Sequence, residues 1–145
     1  MKVVLQRVAE ARVDVAGELV GRIGPGLLLL AGFAPGDEPA VVRAAAQRLL
    51  AYRIFPDAQG RMNRDVRQAG GGVLAVPNFT LEADTRRGLR PSFASAAPPE
   101  QARVLFREFV AALGESGLEV ASGRFGADMQ VRLLNDGPVT LSFAF

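Results

Sequence analysis

The 145-residue chain contains no cysteine, no histidine and no tryptophan, and a single lysine, Lys2. Each absence removes a class of chemistry. Without cysteine there is no disulfide, no thiolate nucleophile, no iron–sulfur cluster and no thiolate zinc site. Without histidine there is no imidazole base, no Ser-His-Asp triad and no HExxH metalloprotease helix. A lone lysine in the first strand leaves no phosphate loop ending in GK[ST] and no interior Schiff-base residue. An enzyme of this composition works with hydroxyls, carboxylates, arginines, backbone groups and whatever its substrate brings.

Long apolar runs are also missing. The longest uncharged stretches, Ile23–Gly36 and Gln68–Leu81, contain Gly and Pro and fall short of the roughly 20 residues that span a bilayer. Met1 to Glu10 carries charge and alternation rather than the apolar region of a secretory signal. The expectation is a soluble cytoplasmic protein with no membrane partner. Excess charge of one sign is absent too, with 17 basic and 15 acidic residues for a formal +2. The pI of about 9.9 reflects how few groups titrate between the carboxylates and Tyr52 or Lys2. A nucleic-acid partner therefore has to be argued from a local cluster.

What is present is globular: 49% hydrophobic and 22% charged residues, in a length suited to one domain over residues 1–145. Alternation and glycine punctuation predict strands at Val3–Val8, Ala11–Val15, Leu19–Ile23 and Leu27–Phe33, with turns at Ala16-Gly17 and Pro25-Gly26. Asp37 is placed to cap a helix whose apolar residues recur from Val41 to Leu50. A second helix starts near Pro98-Pro99-Glu100, with Ala102, Leu105, Phe106, Phe109, Val110 and Leu113 on one face. Strands are expected at Val73–Phe79 and Leu118–Ala121. A closing hairpin, Met129–Leu134 and Val139–Phe145, is joined at Asn135-Asp136-Gly137-Pro138 with one face buried. These elements predict an α+β fold, mainly an antiparallel sheet or barrel-like core covered by two helices.

Several segments carry possible chemistry. Gly70-Gly71-Gly72 reads as a bend, because a phosphate cradle would need lysine and hydroxyl partners. Thr80, at the end of an apolar strand, is either an edge hydroxyl or a nucleophile, and spacing does not choose. Arg86, Arg87 and Arg90 lie in a Gly- and Pro-containing loop, which suits bidentate phosphate contacts as well as plain solvation. The carboxylates of Asp57, Asp65, Glu82, Asp84, Asp128 and Asp136 show no ligand spacing, so neither a metal nor a cofactor is expected. A non-catalytic RNA-binding module and a metal-dependent hydrolase stay open as alternatives.

The opening VVLQRVAEARVDVAGELVGRIGPGLLLLAG, the central RIFPDAQGRMN, the pair FTLEAD and RRGLRPSF, and the closing GRFGADMQVRLLNDGPVT together resemble the D-aminoacyl-tRNA deacylases, in that family's order, from Val3 to Thr140. The resemblance implies a homodimer in which a strand end of the form SQxTL meets an NxGPxT turn from the opposite subunit. The matching residues are Pro77 to Leu81 and Asn135 to Thr140, where Pro77-Asn78 replaces the family's usual Ser-Gln.

The activity implied is hydrolysis of the ester joining a D-amino acid, or glycine mischarged on tRNA-Ala, to tRNA. A branch of the same fold acts on mischarged L-alanyl-tRNA. Phe79 and Thr80 would carry catalysis through backbone N–H groups, assisted by the substrate's 2′-hydroxyl. Asn78, Gly137 and a cis Pro138 would line the chiral gate, and Arg7 would brace the turn. Arg86, Arg87 and Arg90 are assigned to tRNA phosphates, with aminoacyl-tRNA as partner and no DNA.

Overall fold

The structure, a computed structural model, describes residues 1–145. β1 (Lys2–Val15) turns at Ala16-Gly17 into β2 (Glu18–Ile23), and β3 (Gly26–Gly32) follows. The turn takes positive φ at both residues, +50° and +83°, as a tight hairpin requires. Ala11 faces Ile23 and Val8 faces Gly26 in one unbroken register, so β2 and β3 form a single return strand interrupted at Gly24-Pro25. The two short strands expected before Ala16 are one continuous strand. The chain's last strand carries it through Ala9, pairing Val8 with Asn135 and Glu10 with Leu134.

α1 (Pro39–Leu50) begins at Pro39, but its cap residue is Glu38, which makes no side-chain cap bond. Asp37 is not the cap. Its carboxylate accepts from the Ala34 amide at 2.7 Å and from the Met1 ammonium at 2.6 Å, which tightens the loop ahead of the helix. The short ribbon β4 (Phe55–Pro56) and β5 (Met62–Arg64) leads to α2 (Val66–Ala69). α2 is a third helix beyond the two expected, and its signal was the capping box made by Asp65 and Gln68. Gly70 ends α2 at φ +67°. Gly71 and Gly72 then pass against Gly26 where a side chain would collide with backbone. The triple glycine is a bend and a close approach.

β6 (Gly72–Pro77), a one-turn 3₁₀ helix (Phe79–Glu82), α3 (Pro99–Gly114), β7 (Val120–Ser122) and β8 (Gln130–Ala144) complete the chain. β1 pairs antiparallel with β2, β3 and β8, while β3–β6 and β6–β7 are parallel. Gly21 of β2 lies so near Ser122 of β7 that a Cβ would sit 2.9 Å from its carbonyl oxygen, which nearly closes the sheet into a barrel. Leu27, Leu28 and Leu29 of the four-leucine run are buried, on both faces of the sheet, and Leu30 is half-buried. Leu27 and Leu29 pack beneath α1 and α3, while Leu28 joins Val8, Val13, Ile23, Leu74 and Val76 on the opposite face. Phe109 anchors the helical side with no exposed surface, and truncating such a ring costs about 3–5 kcal/mol. No helix is long and apolar enough to cross a membrane.

The closing hairpin is a correction. Residues 130–144 form one strand along β1, with Gln130–Asn135 opposite Asp14–Val8 and Thr140–Ala144 opposite Gln6–Lys2. Asp136 to Val139 bulge out opposite Arg7 alone. The expected apolar face is half-buried: Val139, Leu141 and Phe143 pack on the main core and Met129 and Val131 on the opposite one, while Leu133 is 38% exposed.

Candidate active site

β6 stops at Pro77, which has no N–H with which to extend the ladder. Asn78 still donates its amide to the Ala31 carbonyl at 2.7 Å before the chain turns into the 3₁₀ helix. Thr80 therefore lies on a helical turn rather than on the strand end expected for it. The first amides of a helix lack acceptors of their own, and the short Asn78 side chain supplies one. Asn78 Oδ1 accepts from the Thr80 amide at 3.2 Å and from Thr80 Oγ1 at 2.5 Å. That hydroxyl has no base beside it. The turn is seated on Gly32, where a Cβ would lie 2.8 Å from the Asn78 carbonyl oxygen and 3.1 Å from Leu81 Cβ. Phe79 stands 58% exposed, its ring edge-on to Phe93 with centroids 5.0 Å apart.

This turn forms one wall of a pocket of about 1050 Å³. Leu28, Leu30 and Val76 line it from the sheet, Pro98 and Ala102 from the start of α3, and Phe125, Met129 and Leu133 from the segment entering β8. Such a volume takes a ligand larger than a free amino acid. Asp128 is the only ionisable side chain in the lining, and no three His, Cys, Asp or Glu side chains gather where they could hold a metal ion.

The β8 bulge is built separately. The Gly137-Pro138 bond is cis, and Gly137 takes φ +154°, where a Cβ would meet the Val139 nitrogen at 2.6 Å. Asn135 holds the base of the bulge, accepting from the Val139 amide at 2.9 Å and donating to its carbonyl at 3.1 Å. Arg7 holds the other side. Its Nε donates to the Asp136 carbonyl at 2.8 Å, its Nη1 donates to the Ile54 carbonyl, and it pairs with the Asp136 carboxylate at 3.3 Å. Gly137 and Pro138 are not among the residues lining the pocket beside Thr80. One chain thus brings Asn78, Phe79 and Thr80 together, and Arg7, Gly137 and Pro138 together, but does not join the two sets.

The three loop arginines differ from one another. Arg86 is bound to Asp84, with Nε to Oδ1 at 2.9 Å, Nη2 to Oδ2 at 2.7 Å and its own amide to Oδ1 at 3.0 Å. The guanidinium bonds hold the Asp84 carboxyl well below the usual carboxylate range. A lowered carboxylate contributes stability above its unfolded pKa and loses it as pH falls through the folded value, so this pair stays charged from neutral into mildly acidic pH. Arg87 and Arg90 are exposed and make no ion pair. Sequence reading passed over the pocket's far wall, Phe125, Met129 and Leu133. The alternation of Met129, Val131 and Leu133 with polar residues marks a buried strand face, and does not say that this face lines a pocket.

A family model described as D-Tyr-tRNA(Tyr) deacylase matches residues 4–144. Curated D-aminoacyl-tRNA deacylases of Azotobacter vinelandii and Teredinibacter turnerae are 58% and 56% identical over 140 residues, 97% of each chain in both cases. A solved structure named c-Myc DNA Unwinding Element Binding Protein matches with a TM-score of 0.93 and 35% identity, covering 100% of this chain and 99% of that one. A structure of a probable eukaryotic D-amino acid tRNA deacylase matches with a TM-score of 0.85 over 98% and 97% of the two chains. At 19% identity the second likeness concerns the fold alone.

Proposed function

The chain belongs to the D-aminoacyl-tRNA deacylase family, and from that premise we propose that it hydrolyses the ester between a D-amino acid, or glycine mischarged on tRNA-Ala, and the terminal ribose of cytoplasmic tRNA. The observation that carries this reading is the Asn78-Phe79-Thr80 turn on the wall of a large apolar pocket lined by a single ionisable side chain, in a chain matched nearly end to end by the family. Water adds to the ester carbonyl carbon and an oxyanion develops. The 3′ oxygen then leaves with a proton. Thr80 positions and does not attack, because its hydroxyl is spent on Asn78. With the Thr80 amide also capped by Asn78, the oxyanion is assigned to the Phe79 amide, a contribution typically worth about 3–4 kcal/mol.

The working unit is a homodimer. The partner subunit's Gly137 and Pro138 enter the pocket and place backbone where an L side chain would project, while a D side chain or glycine clears it. Incubating the protein with matched D- and L-aminoacyl-tRNAs tests the reading, with the D-ester expected to be cleaved and the L-ester spared. Equal turnover of both removes the gate, and turnover of L-alanyl-tRNA alone moves the chain to the related branch. Loss of activity in EDTA would favour a metal-dependent hydrolase.

Arg87 and Arg90 contact acceptor-stem phosphates, and Arg86 shapes their loop through Asp84. Replacing both with alanine is expected to weaken tRNA binding and to flatten its dependence on log salt by nearly one unit per lost contact. Arg86→Ala should change the slope less. An unchanged slope in the double variant, measured by filter binding with duplex DNA as competitor, returns the loop to a solvated role.

A further inference from the structure

Lys2 and Glu82 belong to neither set of site residues, yet they meet. Glu82 ends the one-turn helix that carries Phe79 and Thr80, and it is 4% exposed. Its Oε2 lies 3.2 Å from Lys2 Nζ, and its Oε1 is buried without a partner. Lys2 Nζ also donates to the Leu81 carbonyl at 3.2 Å. Lys2 is the β1 neighbour of Gly32, the residue on which the turn is seated. The Glu82 carbonyl in turn accepts from Ser95 Oγ, which ties in the loop that follows the arginines.

A buried carboxylate with one oxygen unmet is a poor source of stability, since an apolar side chain of similar size would avoid that cost. What the pair does provide is position. From the structure we infer that Lys2 and Glu82 are positioning residues for the deacylation reaction, a clamp that holds the Phe79–Thr80 turn against the sheet at the height the ester requires. Neither side chain lines the pocket, so the clamp acts through the Leu81 and Glu82 backbone. This inference rests on the deacylase reading above.

The test compares Lys2→Met, Lys2→Arg and the double variant Lys2→Met/Glu82→Leu with the wild type on D-aminoacyl-tRNA. Lys2→Met is expected to lower kcat about tenfold, as small misplacements near a reacting centre do, with KM changed less than about twofold. Lys2→Arg should recover most of the rate. The double variant removes the uncompensated charge and should regain the wild-type melting temperature while kcat stays low. Amide exchange at Leu81 and Ala83, whose N–H groups close the turn on Asn78 and Thr80, should quicken in it while core amides are unchanged. Wild-type kcat in the double variant, or unchanged exchange at those two amides, overturns the clamp. A wild-type protein inactive on every D-aminoacyl-tRNA defeats the deacylase reading instead, and the exchange measurement then judges the clamp alone.

Discussion

A D-aminoacyl-tRNA whose terminal adenosine lacks the 2′-hydroxyl, with the amino acid held on the 3′ oxygen, is expected to be hydrolysed about 10²- to 10³-fold more slowly with little change in KM. The sequence removes histidine and cysteine, and the fold removes most of what remains. Lys2 is committed to Leu81 and Glu82, and Thr80 Oγ1 is committed to Asn78. Asp128 is the only ionisable group in the pocket lining. The hydroxyl beside the scissile ester is then the group best placed to orient water and relay its proton. Removing it takes away an interaction made in the transition state, so the loss falls on kcat. Single-turnover rates with the deoxy and native substrates measure this directly. Asp128→Asn is the companion variant. Native rates on the deoxy substrate together with an inactive Asp128→Asn would transfer the base to the protein, and a trapped acyl group on Thr80 would make that residue a nucleophile.

Gly32→Ala and Gly137→Ala are each expected to lower activity about 10²-fold, and a heterodimer carrying one of each should recover about half the wild-type rate per dimer. At Gly32 the added methyl meets the Asn78 carbonyl oxygen at 2.8 Å and lifts the turn that carries Phe79 and Thr80. At Gly137 it meets the Val139 backbone nitrogen at 2.6 Å on a residue held at φ +154°, which displaces the bulge braced by Arg7. If each site takes its turn from one subunit and its bulge from the other, the heterodimer holds one doubly damaged site and one intact site. Separately tagged, co-expressed subunits allow that species to be purified, and sedimentation verifies that it is a dimer. A heterodimer as inactive as its parents would mean that each site draws both residues from one and the same subunit. Full activity in a wild-type monomer would remove the shared site altogether.

How much of this was legible beforehand depended on whether a feature is local. Missing residue types exclude chemistry without any fold. Alternation before Ala16 marked strand though not its continuity, and the helical stripe from Ala102 to Leu113 and the glycine breaks marked elements and class, because strand pleat and helix pitch repeat within a few residues. The two motifs, Phe79-Thr80-Leu81 and Asn135 to Thr140, were readable as strings of residues.

Pairing was not. Asn135-Asp136-Gly137-Pro138 has the composition of a hairpin turn, yet β1 runs past both flanking segments and aligns them as one strand, leaving the turn as a bulge opposite Arg7. Asp37 has the chemistry of a helix cap, but it satisfies the Ala34 amide and the Met1 ammonium instead. The Lys2 and Glu82 side chains meet across 80 positions of sequence, where no spacing rule reaches. Sequence alone settled what each segment can do with its own backbone and faces, since those forces act between near neighbours. Which segments meet was decided by the barrel, where burial of Leu27 to Leu29 on both faces and the closing of backbone hydrogen bonds between distant strands select a single arrangement of the chain.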